Sequence, residues 1–186
     1  MRHIHIFEIN MLQKTDCPYQ AYYCEENIWK LCQLEFFENL AVQVLFLLPS
    51  QANFIAVWQQ QLAKAKQPVF WDYHVILLDK SNAQIYDFDS LLPFPVDAKE
   101  YFSSSFAMDF PAYLPQFKVF ERKDFIERFS SDRSHMLDEQ GNWMASPPVW
   151  PCILNNNGID LKKILLKQDA SFCKSYSYRE MLNQLG

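Results

Sequence analysis

The sequence predicts an α+β fold, an antiparallel sheet packed with helices, and three patterns carry that expectation. Short apolar runs at 42–48 and 53–58, the first ended by Pro49 and Ser50, have the length and bounding turn residues of strands. Two more apolar segments, 69–78 and 83–89, are separated by Asp79-Lys80-Ser81-Asn82 and read as an antiparallel hairpin. Upstream, Ile28, Leu31, Cys32 and Phe36 fall at i, i+3, i+4 and i+8, the stripe of a helix with one apolar face.

The elements follow in order. Residues 2–8 read as a first strand or arm, and Asp16-Cys17-Pro18-Tyr19 as a turn. A helix is expected over 25–38, with Glu25 and Glu26 in its first turn, where carboxylates suit the helix dipole. Cys24 then stands at or just before the helix start. After the two strands, 59–66 is one helical turn or a loop, and beyond the hairpin Leu91-Leu92-Pro93-Phe94-Pro95 ends the sheet path. Helix then loop is expected over 96–115, a strand over 117–121 and a short helix over 123–129. Residues 130–158, with turn chemistry, aromatic anchors and Pro147-Pro148…Pro151, read as an ordered loop, followed by short helices at 159–168 and 177–185. No repeat or boundary interrupts the chain, so one catalytic domain over 1–186 is expected.

Composition removes several function classes. Of 186 residues, 49% are hydrophobic and 16% aromatic, enough to build a core and too many for a disordered chain. Average usage predicts roughly thirteen glycines. The chain has 3, far apart at Gly141, Gly158 and Gly186, whereas phosphate loops, dinucleotide fingerprints and the serine nucleophile elbow need glycines within a few residues of one another. With 17 basic against 22 acidic residues and no run of Lys or Arg, neither nucleic acid nor an anionic membrane is an expected partner. The start MRHIHIFEINML alternates polar and apolar residues, unlike a signal peptide, and the stretch 40–48, interrupted by Gln43, is far short of the roughly 20 residues that span a bilayer. A cytoplasmic monomer is expected. Five cysteines, an odd number without a Cys-Xaa-Xaa-Cys pair, and four histidines without His-Glu-Xaa-Xaa-His, argue against a disulfide framework and a zinc site.

One thiol is placed for chemistry. Peptide N–H groups at a helix start stabilise a thiolate and can hold an oxyanion, and Cys24 is the cysteine so placed. Cys32 on the apolar stripe and Cys152 beside Pro151 read as core. In the hairpin, a turn symmetric about the Lys80–Ser81 bond sets His74 opposite Asp87, while a turn at Ser81–Asn82 sets it opposite Asp89. Either way a carboxylate can orient the imidazole. Cysteine at a helix start followed by histidine and aspartate on adjacent strands is the layout of papain-like or transglutaminase-like cysteine hydrolases and acyltransferases. His135, within Ser131-Asp132-Arg133-Ser134-His135, is the other candidate base.

Five strings, YYCEENIWKLC (22–32), VFWDYHVILL (69–78), IYDFDSLLPFP (85–95), FSSDRSHM (129–136) and WPCI (150–153), closely resemble the protein N-terminal glutamine amidohydrolase family and keep its order. The resemblance implies an α+β cysteine-hydrolase fold with Cys24 as nucleophile, His74 as base and Asp87, not Asp89, as third member. It also implies conversion of an N-terminal glutamine of a protein or peptide to glutamate with release of ammonia, without a cofactor. In eukaryotic relatives the product feeds an N-terminal degradation pathway. On that reading a Cys24 thiolate attacks the carboxamide, and Glu25, Asp72 and Asp89 are candidates to hold the substrate's α-ammonium. A peptidase or transglutaminase reaction on the same residues, or a non-catalytic binder of N-terminal residues, are the competing classes.

Overall fold

The computed structural model describes residues 12–156 and 158–185, so the arm expected at 2–8 lies outside the described residues. Helix α1 (Cys24–Cys32) is followed by strands β1 (Val42–Pro49), β2 (Ile55–Val57), β3 (Val69–Trp71), β4 (His74–Asp79), β5 (Gln84–Tyr86) and β6 (Val96–Asp97). Then come α2 (Ala98–Ser105), β7 (Pro115–Glu121), α3 (Arg122–Arg128), β8 (Phe129–Ser130), β9 (Ile159–Asp160), α4 (Leu161–Leu165), β10 (Cys173–Tyr176) and α5 (Tyr178–Gln184). Among the described residues a six-stranded sheet has the order β10-β7-β1-β4-β5-β6, antiparallel throughout.

The unbroken apolar run of β1 has a direct cause. Val44, Phe46 and Leu48 point into one core with Ile28, Leu31 and Cys32 of α1 and Phe125 of α3. Leu45 and Leu47 point into a second core with Tyr101 and Phe102 of α2 and Tyr178 and Met181 of α5. A strand buried on both faces has no polar positions to alternate with. The mixed α+β fold with its antiparallel sheet is thus the expected one.

Several boundaries differ from expectation, each for a local reason. The first helix ends at Cys32, not at 38; Leu34 is extended, and a short 3₁₀ turn, Glu35–Phe37, follows. That break moves the apolar phase by one residue, so Phe37 is buried and Phe36 lies outside. The segment 69–78 is two strands. Asp72 Oδ1 accepts the Tyr73 N–H at 2.9 Å, which takes that donor out of a ladder, and β3 pairs with β2 instead. The sheet path does not end at Pro95, since β6 adds to β5, and β10 is an edge strand beside β7 in a segment where none was expected.

The hairpin adopts the tighter register, with Asp79 opposite Gln84 and Leu77 opposite Tyr86. The Asp79 carboxylate decides this by accepting from the Ser81 N–H (2.8 Å), the Asn82 N–H (3.3 Å) and Asn82 Nδ2 (2.7 Å). Continued further, that ladder would set His74 opposite Asp89. It stops at Tyr86, however, and the chain turns, the Ser90 N–H donating to the Asp87 carbonyl.

Candidate active site

The turn after β5 brings Asp87 to His74. His74 Nε2 lies 2.9 Å from Asp87 Oδ1, and both side chains are fully buried. The expected partnership therefore forms, although not by the cross-strand register first considered.

Asp87 is saturated with donors. Oδ1 also accepts the Asp89 N–H at 2.9 Å, and Oδ2 accepts from Gln60 Nε2 at 2.9 Å and the Tyr101 hydroxyl at 2.8 Å. Burial alone would raise its pKa; the His74 charge and these hydrogen bonds outweigh burial and bring it down to about 2. An ionised carboxylate only accepts, so His74 Nε2 carries the proton. Nδ1 of the neutral ring is then a lone pair, buried with no hydrogen-bond partner. Burial pushes the His74 pKa down, but the Asp87 charge and hydrogen bond prevail and raise it. Trp71 stacks on the imidazole, rings 5.3 Å apart and 12° from parallel.

Cys24 opens α1. Asn27 fastens the preceding turn, its Oδ1 accepting from the Gln20 N–H and its Nδ2 donating to the Gln20 carbonyl, both at 2.8 Å. The backbone of Val75, next to His74, lowers the Cys24 thiol pKa, an effect smaller than that of burial. The thiol is not a preformed thiolate. Burial, then the neighbouring Glu25 and Asp89 charges, push its pKa well above the ordinary range, outweighing the helix start.

The three expected ammonium partners are placed unequally. Glu25 is buried against Cys24, whose Sγ lies 3.8 Å from Oε2, and Oε2 also accepts from the Tyr73 hydroxyl at 3.0 Å. Asp89 is buried and accepts from the Tyr19 hydroxyl at 2.9 Å. Asp72 is exposed and occupied with the strand break. His135, the other candidate base, has Asp87 out of its contacts and instead meets the Tyr73 hydroxyl at 3.1 Å. Its loop is held by Arg133, whose Nε and Nη2 pair with both oxygens of buried Glu26 at 2.7 Å. Trp150 Nε1 also donates to Glu26, at 2.7 Å. Cys32 is buried as expected, while Cys152 is partly exposed; both are free thiols.

Sequence reasoning missed Gln60, Trp71, Tyr73, Tyr101 and the Glu26–Arg133 pair. Trp71 and Tyr73 closely precede the candidate base in sequence and could have been noticed beside it. Gln60 and Tyr101 carry no local signal, because only the tertiary fold brings them to Asp87.

His74, Asp87 and Asp89 each present a ligand atom, all within 4.8 Å of one another. The oxygens of Asp87 already accept four donors, so a cation there would have to displace that network. The arrangement is built for holding and moving protons: a thiol, an imidazole with one free nitrogen, and a carboxylate locked behind it.

The family model of N-terminal glutamine amidase matches residues 19–184. A human protein N-terminal glutamine amidohydrolase is 40% identical over 148 residues, covering 74% of this chain and 71% of the human one. The zebrafish (Danio rerio) protein of the same name is 39% identical over 150 residues, 75% of this chain and 73% of its own. One from Drosophila melanogaster is 32% identical over 155 residues, 78% and 76% of the two chains.

Proposed function

The chain belongs to the N-terminal glutamine amidase family, and from that premise we propose that it converts N-terminal glutamine of proteins and peptides to glutamate and ammonia through Cys24, His74 and Asp87. The observation that carries the mechanism is the unpartnered Nδ1 of His74, set opposite the nitrogen that Asp87 holds.

His74 Nδ1 takes the Cys24 thiol proton as Sγ attacks the carboxamide carbon. Asp87 stabilises the resulting imidazolium and keeps its orientation. Backbone N–H groups at the start of α1 hold part of the oxyanion charge. Collapse of the tetrahedral intermediate breaks the C–N bond, the imidazolium proton leaves with ammonia, and an acyl-thioester remains. His74 then draws a proton from water, hydroxide attacks the thioester, and glutamate and the Cys24 thiol are released. The raised thiol pKa makes this coupled transfer necessary, since little thiolate is present at rest.

A helix-start cysteine packed beside a sheet strand that carries histidine supports a papain-like or transglutaminase-like architecture in a single catalytic domain. Among the described residues no helix is long and apolar enough to cross a membrane. A monomer acting in the cytoplasm belongs to the same proposal.

The test is ammonia release, with product mass, from a Gln-starting peptide. Deamidation adds about one dalton without cleavage or cross-link, which separates it from peptidase and transglutaminase outcomes. Cys24→Ala is expected to abolish release and keep the folded circular-dichroism spectrum; wild-type-like turnover in that variant would sink the assignment.

A further inference from the structure

The triad leaves one buried cluster of titratable groups without a role. Glu25 is fully buried; its Oε2 meets Cys24 and Tyr73, but Oε1 has no hydrogen-bond donor. His135 Nε2 stands 3.6 Å from Oε1, beyond hydrogen-bond reach. Buried carboxylate oxygens normally find a donor, and an unpaired one is costly. A single cation at Oε1 would complete the site.

The loop around His135 is built to border that position. Arg133 adopts the left-handed backbone region, φ 63°, and its guanidinium clasps Glu26, the residue after Glu25. Asp132 accepts from both the N–H and the hydroxyl of Ser134, at 2.9 and 2.7 Å. His135 thereby meets Tyr73 and Glu25. It also lines a cavity of about 580 Å³, together with Ser131, Asp132, Leu161 and Leu165. The Ser131 hydroxyl is itself buried and unpartnered.

We propose that Glu25 anchors the free α-ammonium of the substrate, with Tyr73 positioning its carboxylate, and that the chain after the terminal glutamine leaves past His135 into this cavity. The inference rests on the deamidase reading and adds how the terminus is recognised. Glu25 is favoured over its neighbours because, among the described residues, its Oε1 is the buried carboxylate oxygen left without a donor, whereas Asp89 Oδ1 accepts from Tyr19 and Asp72 is exposed. Entry of the ammonium moves the imidazole from beside Oε1 towards the cavity it already borders. Anchor and nucleophile are consecutive residues on one helical turn, so the distance between them is a rigid ruler. Asparagine, one methylene shorter, leaves its carboxamide short of Cys24 when its amine is seated.

The test measures binding by calorimetry to Cys24→Ala protein, using a Gln-starting pentapeptide and its N-acetylated form. The free amine is expected to bind about 100-fold more tightly, the scale of a buried charge pair. Adding Glu25→Gln is expected to remove most of that ratio, and adding Asp72→Asn or Asp89→Asn to leave it. A ratio that survives Glu25→Gln, or is lost with Asp72→Asn or Asp89→Asn instead, overturns the proposal. Should Glu25→Gln fail to fold, Tyr73→Phe serves in its place: the ratio should fall, and an unchanged one overturns the proposal. Ammonia release by the wild type is measured in parallel. Its absence, with amine-dependent binding intact, would defeat the deamidase reading while leaving the anchor standing.

Discussion

In the proposed mechanism Asp87 acts through the nitrogen it holds: its carboxylate fixes the proton on His74 Nε2 and leaves Nδ1 to serve as the base. In Asp87→Asn the amide can donate to Nε2, which flips the tautomer and buries the proton on the wrong nitrogen. We expect kcat to fall by about 10³-fold or more with KM little changed, a loss of orientation rather than of binding. A kcat within an order of magnitude of wild type would remove this role. Glu25 has the opposite sign for stability. Burial raises its pKa from 4.5 to about 7, so the stability it contributes is complete below pH 4.5 and is lost as pH rises through 7. Cys24, Glu26, Tyr73 and His135 all face it, and because burial lowers the His135 pKa, its imidazole offers Oε1 no cation at pH 8. Glu25→Gln should therefore raise the melting temperature at pH 8, by the equivalent of up to about 3 kcal/mol, and give no gain at pH 4.5. Equal melting shifts at both pH values would contradict the assignment.

At the level of elements, the site depends on short pieces more than on long ones. Two residues of β8 pair in parallel with two of β9, and this small ladder supports the loop that carries Arg133 and His135. Gly158 precedes β9, and a Cβ there would lie 1.5 Å from the Arg128 carbonyl oxygen. The obstacle is backbone, so it cannot swing aside as a side chain could. Gly158→Ala should destabilise the fold by about 2 kcal/mol or more, measured by urea unfolding, and weaken peptide binding at the His135 cavity. An unchanged unfolding midpoint would show that β9 is free to shift. The same economy governs the hairpin. Asp79 bonds its own turn and sets the register, and the early end of the ladder at Tyr86 lets Asp87 reach His74.

Across the whole molecule, two cores clamp the sheet, and the site lies where they meet. Cys24 belongs to the core that holds α1, while Tyr101, which bonds Asp87, belongs to the core that holds α2. The Asp87 cluster therefore ties one layer to the other, and its protonation should register in global stability. The folded pKa, about 2, lies below the ordinary 3.8, so its contribution is present above about pH 4 and lost as pH falls through 2. Wild-type protein should lose about 2 kcal/mol across that window in excess of Asp87→Asn, as followed by denaturant midpoints at successive pH values. Parallel curves for the two proteins would argue that Asp87 keeps an ordinary pKa in the fold.

By itself the sequence determines the α+β class, the starts of α1 and α2 and the positions of β1, β7 and α3 to within a few residues, and the order of Cys24, His74 and a following aspartate, Asp87 or Asp89. These are properties of periodicity, turn residues and residue type, which act over a few positions along the chain. Tertiary structure decides the rest. Gln60 and Tyr101 reach Asp87, and His135 reaches Tyr73, across separations of 27, 14 and 62 positions with no local mark. Protonation follows the same division: a helix start suggests a thiolate at Cys24, but burial and neighbouring carboxylates hold the thiol, because desolvation depends on everything packed around a group.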